Sequence, residues 1–235
     1  MAYYDNYSGR GATQLRKRIQ ARFYLRLFRH FGLELSSDSH FLEIGPGTGT
    51  VAHLVRDAGA NYRAIEPNQG LVDMLKGKGF EVELGSCPPI LGADESCDFV
   101  FCSHLIEHLA DPDTVFSFFR ESLRLLRPGG KFVIIAPDIL RAGNYFWDSD
   151  YTHTFPVTVR RIEQLFLDVG FERETCTNIT EPFVGNVKFL INALVACYPY
   201  SLLQNLTPSH RLRTLIYKIR STFSQSVFAV GVKPL

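Results

Sequence analysis

The stretch Phe41-Leu42-Glu43-Ile44-Gly45-Pro46-Gly47-Thr48-Gly49-Thr50 limits what this chain can fold into more than any other. Apolar residues (Phe41, Leu42, Ile44) lead into glycines at alternate positions, and Val51 opens a helical pattern. Such a run predicts a buried strand, a tight turn and then a helix. Glycine lets the backbone turn sharply and lets a ligand lie directly against main-chain N–H groups. A dinucleotide fingerprint of the form G-x-G-x-x-G would set a pyrophosphate on the helix N-terminus. Here Thr50 stands where that third glycine belongs, and Glu43 stands two residues before the first glycine. A carboxylate there sits badly beside a pyrophosphate and suits a ligand with an amino group.

The chain has 235 residues, 46% of them hydrophobic, which suffices for one domain with a substantial appendage and a large core. A net charge of +1 gives no whole-chain argument for nucleic acid or an anionic membrane. The cysteines (Cys87, Cys97, Cys102, Cys176, Cys197) are odd in number and form no C-x-x-C pair, which fits a reducing, cytoplasmic compartment. The opening MAYYDNYSGRGATQ has no basic region followed by an apolar run, so no signal peptide is expected. The most apolar late stretch, Phe189 to Tyr198, falls short of the ~20 residues a transmembrane helix needs.

Residues 1–35 read as an N-terminal helical segment, with Leu15, Ile19, Phe23, Leu27 and Phe31 at steps of four. Its other face is basic (Arg16, Lys17, Arg18, Arg22, Arg26, Arg29). Either the helix packs on the domain with its cations solvated, or it is a lid that offers arginine to an anionic substrate. From Phe41 onward strands alternate with helices, which implies parallel strands with crossover helices on both faces. The predicted strands are His40–Ile44, Asn61–Ile65, Phe80–Leu84, Cys97–Cys102 and Lys131–Ala136, with later ones near Phe171–Ile179 and Ser226–Lys233. Helices are predicted at Val51–Ala58, Gln69–Lys76, Asp113–Leu126 and Arg160–Val169. Pro128-Gly129-Gly130 turns the chain back into the fifth strand.

Glu43-x-Gly45-x-Gly47-x-Gly49 resembles motif I of the class I S-adenosylmethionine (SAM)-dependent methyltransferases. Asp98-Phe99-Val100-Phe101-Cys102 is similar to that family's fourth strand, and Leu126-Arg127-Pro128-Gly129-Gly130-Lys131-Phe132 to its approach to the fifth. The pieces cover residues 45 to 180 in the family's order. The resemblance implies a seven-stranded, mostly parallel Rossmann-like sheet with helices on both faces, its last two strands an antiparallel hairpin. It also implies SAM as cofactor. Gly45, Gly47 and Gly49 would cradle the methionine part, with Glu43 placing its amino group. Glu66, which ends the second strand before Pro67, would hold the ribose hydroxyls. Ser86 stands where the family often has an aspartate against the adenine, and Cys87 follows it. Ser103 would line the cofactor from the end of the fourth strand.

His104, Glu107 and His108 fall at i, i+3 and i+4, so a helical turn would bring them to one face. This resembles the E-x-x-E-H metal motif of some small-RNA and quinone-precursor O-methyltransferases, with His104 replacing the first Glu and His153 available as a further ligand. The same Glu-His pair occurs in relatives without metal, so a divalent cation is a second option and no metal the first. His104 and His153 are the candidate proton acceptors for a hydroxyl nucleophile. Between them Phe146-Trp147-Asp148-Ser149-Asp150-Tyr151 follows the fifth strand, where loops carry substrate contacts. There Trp147 and Phe155 are expected to anchor the next helix, with Pro156 as its first residue, and His153 or Asp150 to face the substrate.

The expected division is a lid at 1–35, a SAM-binding methyltransferase domain at 36–180 and 223–235, and a helical insertion at 181–222. Two helical patterns, Val187–Leu203 and Pro208–Phe223, fill the insertion. It could cap the acceptor, join two copies in a homodimer or touch a membrane surface. The expected activity is methyl transfer to an O or N of a small-molecule acceptor: a sugar, a lipid-linked intermediate or a secondary metabolite. An NAD-dependent oxidoreductase and a catalytically silent SAM-binding partner subunit are the alternatives.

Overall fold

The computed structural model describes residues 14–180, 200–209, 211–213, 215, 216 and 225–235. Seven strands form one sheet in the order β3-β2-β1-β4-β5-β7-β6. They are β1 (His40–Ile44), β2 (Asn61–Glu66), β3 (Glu81–Leu84), β4 (Cys97–Ser103), β5 (Leu126–Pro137), β6 (Glu172–Thr180) and β7 (Gln225–Val232). The first five pair in parallel, whereas β7 runs antiparallel to both β5 and β6. The Rossmann-like architecture and the antiparallel last pair are those expected from sequence.

Helices α1 (Gln14–His30), α2 (Thr50–Asp57), α3 (Gln69–Lys76), α4 (Pro112–Leu125) and α7 (Val159–Val169) cover the faces. Their ends follow local chemistry. Asn68 accepts the Leu71 N–H at the start of α3, and Asp111 accepts the Thr114 N–H ahead of Pro112 in α4. The loop after β5 holds two short helices that sequence did not suggest, α5 (Ile139–Ala142) and α6 (Tyr145–Ser149). Helix α7 begins at Val159, one residue before the predicted Arg160 and three after Pro156, because the Thr158 side chain takes the Arg161 N–H and becomes the cap. Pro156 therefore lies before the helix. Phe155 is buried as an anchor, but Trp147 is 49% exposed.

Alternation along the strands sorts side chains to two cores. Phe132, Ile134 and Ala136 of β5 join Phe118, Phe119 and Phe166 on one face. Val133 and Ile135 join Phe41, Phe99, Phe101 and Phe228 on the other, where α1 packs. The buried side of α1 is Phe23, Tyr24, Leu27 and Phe28, and Ile19 is 42% exposed. Steps of four advance about 40° around a helix of 3.6 residues per turn, so the line through Ile19 and Phe31 winds off the contact face. Arg18, Arg22, Arg26 and Arg29 are exposed.

Within the insertion, α8 (Tyr200–Leu206) ends where a break was expected, and 211–213 are again helical. Most of the first expected helix, and residues 217–223 of the second, lie outside the described residues. No helix among the described residues is long and apolar enough to cross a membrane.

If α1 is part of the domain, Leu27→Ala should cost about 2–5 kcal/mol in urea unfolding, as expected for a fully buried leucine. Arg26→Ala should stay within about 0.5 kcal/mol of wild type. Equal, negligible effects of both would show that α1 is not integral to the fold.

Candidate active site

In open parallel sheets ligands gather beyond the carboxyl ends of the strands, where the strand order reverses. Here that point lies between β1 and β4, which are neighbours in the centre of the sheet. The glycine turn leaves β1 there, and Gly45, Gly47 and Gly49 take φ of 74°, 53° and 82°. Side chains strongly disfavour this region. The three positions differ in what a side chain would meet. At Gly49 an added Cβ would come 2.5 Å from Leu75 Cδ2, whereas at Gly47 nothing lies within 4 Å. Gly49 therefore serves packing, and Gly47 exposes bare backbone to open space.

Glu66 ends β2 with 5% exposure. Its Oε2 accepts the Gly47 N–H at 3.2 Å, and its Oε1 accepts the Asn68 N–H at 3.0 Å. Burial raises its pKa, and the two amides act against that. Each oxygen of a carboxylate has two lone pairs, so both can still accept a ligand hydroxyl. Pro67 is exposed after it, and Gly85 N–H bonds the Glu66 carbonyl at 3.1 Å, bringing exposed Ser86 and half-buried Cys87 to the same edge. Burial, helped by the negative charge of Glu121, pushes the Cys87 thiol up to about 12. A thiolate nucleophile is thereby excluded at neutral pH.

Glu43 is 4% exposed, and its Oε2 accepts the Tyr62 hydroxyl at 2.6 Å. Tyr62 lies opposite Phe41 in the β1–β2 register, on the same face as Glu43. Burial pushes the Glu43 carboxyl up to about 7; the Tyr62 bond opposes this and the Glu66 charge adds to it. Sequence reading missed Tyr62, although its position in β2 is the signal that places it.

At the end of β4, Ser103 Oγ lies 3.1 Å from the Tyr24 hydroxyl of α1. His104 follows with φ 54°, held by its N–H to the Ile135 carbonyl at 2.8 Å. Its Nδ1 is 3.5 Å from Glu107 Oε1, and His108 Nε2 is 3.9 Å from the same oxygen. Glu107 is 1% exposed, and its Oε2 takes no hydrogen bond among the described residues. His153 ring lies 4.9 Å from that of His108. The hydrogen-bond network assigns both tautomers. His153 Nδ1 must donate to the Phe146 carbonyl at 2.6 Å. Thr152 donates its proton to Asp150 at 2.7 Å, so it accepts from His108 Nδ1. Burial lowers the His108 pKa, which favours the neutral ring, while the Glu107 charge acts against it. In the neutral form of either ring, Nε2 is then the nitrogen without a proton. Ligand atoms of Glu107, His108 and His153 lie within 4.8 Å of one another. Two imidazoles held through Nδ1 beside a carboxylate with an unbonded oxygen form a donor set suited to a divalent cation. The roles of Asp150 and Thr152 were not legible in sequence, because both act through His108, 44 residues from Thr152.

The sheet order, the glycine turn and the acid ending β2 define a nucleotide-type site of the class I methyltransferase kind. The methyltransferase-domain family model matches residues 13–175, and the chain belongs to that family of SAM-dependent enzymes. An uncharacterized 37.1 kDa protein of a Streptomyces fradiae transposon is 32% identical over 60% of this chain and 45% of its own length. The chain thus spans about half of that relative. The ubiquinone biosynthesis O-methyltransferase of Parvibaculum lavamentivorans is 24% identical over 66% of this chain and 69% of its own. A SAM-dependent methyltransferase structure from Archaeoglobus fulgidus superposes with a TM-score of 0.64 at 18% identity, covering 99% of each chain, which shows the shared fold.

Because the folded pKa of Glu43 lies above its unfolded value, its contribution is fully present below about 4.5 and is lost as pH rises through about 7. Without ligand, the protein should lose on the order of 3 kcal/mol from this group between those limits. Glu43→Gln keeps an acceptor for Tyr62 and should flatten that part of the stability–pH curve. Parallel curves for variant and wild type would show that Glu43 is not the titrating group.

Proposed function

We propose that the chain binds SAM across the glycine turn and transfers its methyl group to an oxygen or nitrogen of a small-molecule acceptor. The observation that carries this reading is the bond from Gly47 N–H to Glu66, which ties the open glycine backbone to the acid at the carboxyl end of β2. SAM supplies a methyl group on a sulfonium, which a nucleophile takes by in-line displacement. The protein's part is chiefly to hold acceptor and donor in line. In this reading Gly45, Gly47 and Gly49 take the methionine part, Glu43 the ammonium, Glu66 the ribose, and Pro67, Ser86, Cys87 and Ser103 line the rest. His153, whose Nδ1 is held by the Phe146 carbonyl, and the more exposed His104 are the candidate bases for a hydroxyl acceptor. The name of the Parvibaculum relative favours oxygen. A sugar, a lipid-linked intermediate or a secondary metabolite remains the acceptor class.

Glu66→Ala should weaken SAM binding by ~1.5–3 kcal/mol, the value of charge-assisted bonds to two hydroxyls. Calorimetric titration of the folded variant checks this, and unchanged affinity would remove Glu66 from the ribose role. Labelled SAM with a panel of acceptors then reads turnover. Tight binding without any transfer would favour a silent partner subunit.

The unbonded Glu107 Oε2 supports a second reading, in which Glu107, His108 and His153 hold a divalent cation beside the acceptor. Elemental analysis should then find metal in the purified protein, with His153→Ala losing it. Full turnover after chelation, with no metal bound, would leave these three groups as a purely protein network.

A further inference from the structure

The charges of this chain are unevenly placed. Helix α1 carries Arg16, Lys17, Arg18, Arg22, Arg26 and Arg29 with no Asp or Glu, so +6 of a net +1 lies there and the remaining residues sum to −5. At 100° per residue, Arg18, Arg22, Arg26 and Arg29 fall within about 80° of one another. They form a row about 16 Å long. All four are exposed, and none takes part in an ion pair with another described residue. Ile19 and Leu25 flank the row on either side, 42% and 38% exposed. The aromatic residues Phe23, Tyr24 and Phe28 are spent on the core.

We propose that the outward face of α1 is a docking surface for a lipid bilayer with anionic headgroups. Charge complementarity selects an anionic partner, since self-repulsion along an unneutralised row of arginines is relieved by a layer of phosphates. The flanking aliphatic side chains favour a bilayer over nucleic acid. Isoleucine and leucine beside cations suit the boundary between headgroups and acyl chains, whereas single-stranded nucleic acid is held by exposed aromatic platforms that this face lacks. The inner face of the same helix places Tyr24 on Ser103 at the mouth of the site, so docking would set that mouth close to the bilayer. The binding itself does not rest on the methyltransferase reading.

The test is co-sedimentation of the full chain with phosphatidylcholine vesicles, with and without phosphatidylglycerol. Partition should require phosphatidylglycerol and fall steeply as salt rises from about 0.1 to 0.5 M. Arg22→Glu with Arg26→Glu should reduce it at least tenfold, whereas Arg22→Lys with Arg26→Lys should keep most of it. Both pairs lie on the solvent side, and unchanged melting temperatures would show that the fold is kept. Equal partition onto neutral vesicles, no partition at all, or insensitivity to charge reversal would overturn the proposal. So would a labelled oligonucleotide that binds this face more tightly than the anionic vesicles.

Discussion

A buried carboxylate is costly unless donors reach it, and two of them, Glu43 and Glu66, lie at the centre of this sheet's carboxyl edge. The loops there are shaped by the need to supply those donors. Glu66 draws in the Gly47 amide from one loop and the Asn68 amide from the next, so one side chain fixes the glycine turn against the start of α3. Asn68 in turn caps that helix with its own side chain. Among the described residues Glu43 has a single donor, the Tyr62 hydroxyl, and its burial pushes the carboxyl up to about 7. The difference in donors separates two acids of one kind into a firmly bonded loop clasp and a proton-sensitive group.

Much of this was legible in sequence because it is local. Strand β1 and helix α3 have the bounds expected from their apolar runs and caps, and β2 runs one residue further, to Glu66. The glycine turn could be placed because glycines at alternate positions between a strand and a helix have few other uses. What escaped was decided at a distance. The buried side of α1 depends on which aromatic residues meet Phe41 and Phe101, so Tyr24 and Phe28 displaced Ile19. The start of α7 was won by a threonine cap over a proline two residues earlier. The histidine tautomers follow from a carbonyl at Phe146 and a hydroxyl at Thr152, partners that no local spacing reveals.

The mouth of the site is built differently from its floor. The floor is strand ends and amides, fixed by the sheet. The mouth is Ser103, His104, Glu107 and His108 after β4, joined to the loop after β5 by main-chain bonds from Thr154 and Phe155 to the Glu107 carbonyl at 2.8 and 3.1 Å. Those bonds hold His108 against Thr152 and beside His153. Two loops far apart in the chain are thus tied to each other where the three histidines lie.

Thr180 and Gln225 are the last paired residues of β6 and β7, side by side in the sheet. The 44 residues from 181 to 224 therefore leave and return at nearly one point. Closing such an excursion costs an entropy that grows only with the logarithm of its length, about 0.6 kcal/mol for each doubling. The ladder between the two strands neither lengthens nor shifts register when the excursion does. Loop closure therefore sets little limit on the length of the segment carried between these two strand ends. A recognition surface grown at the carboxyl edge of this domain would add little closure entropy to the folding of the sheet.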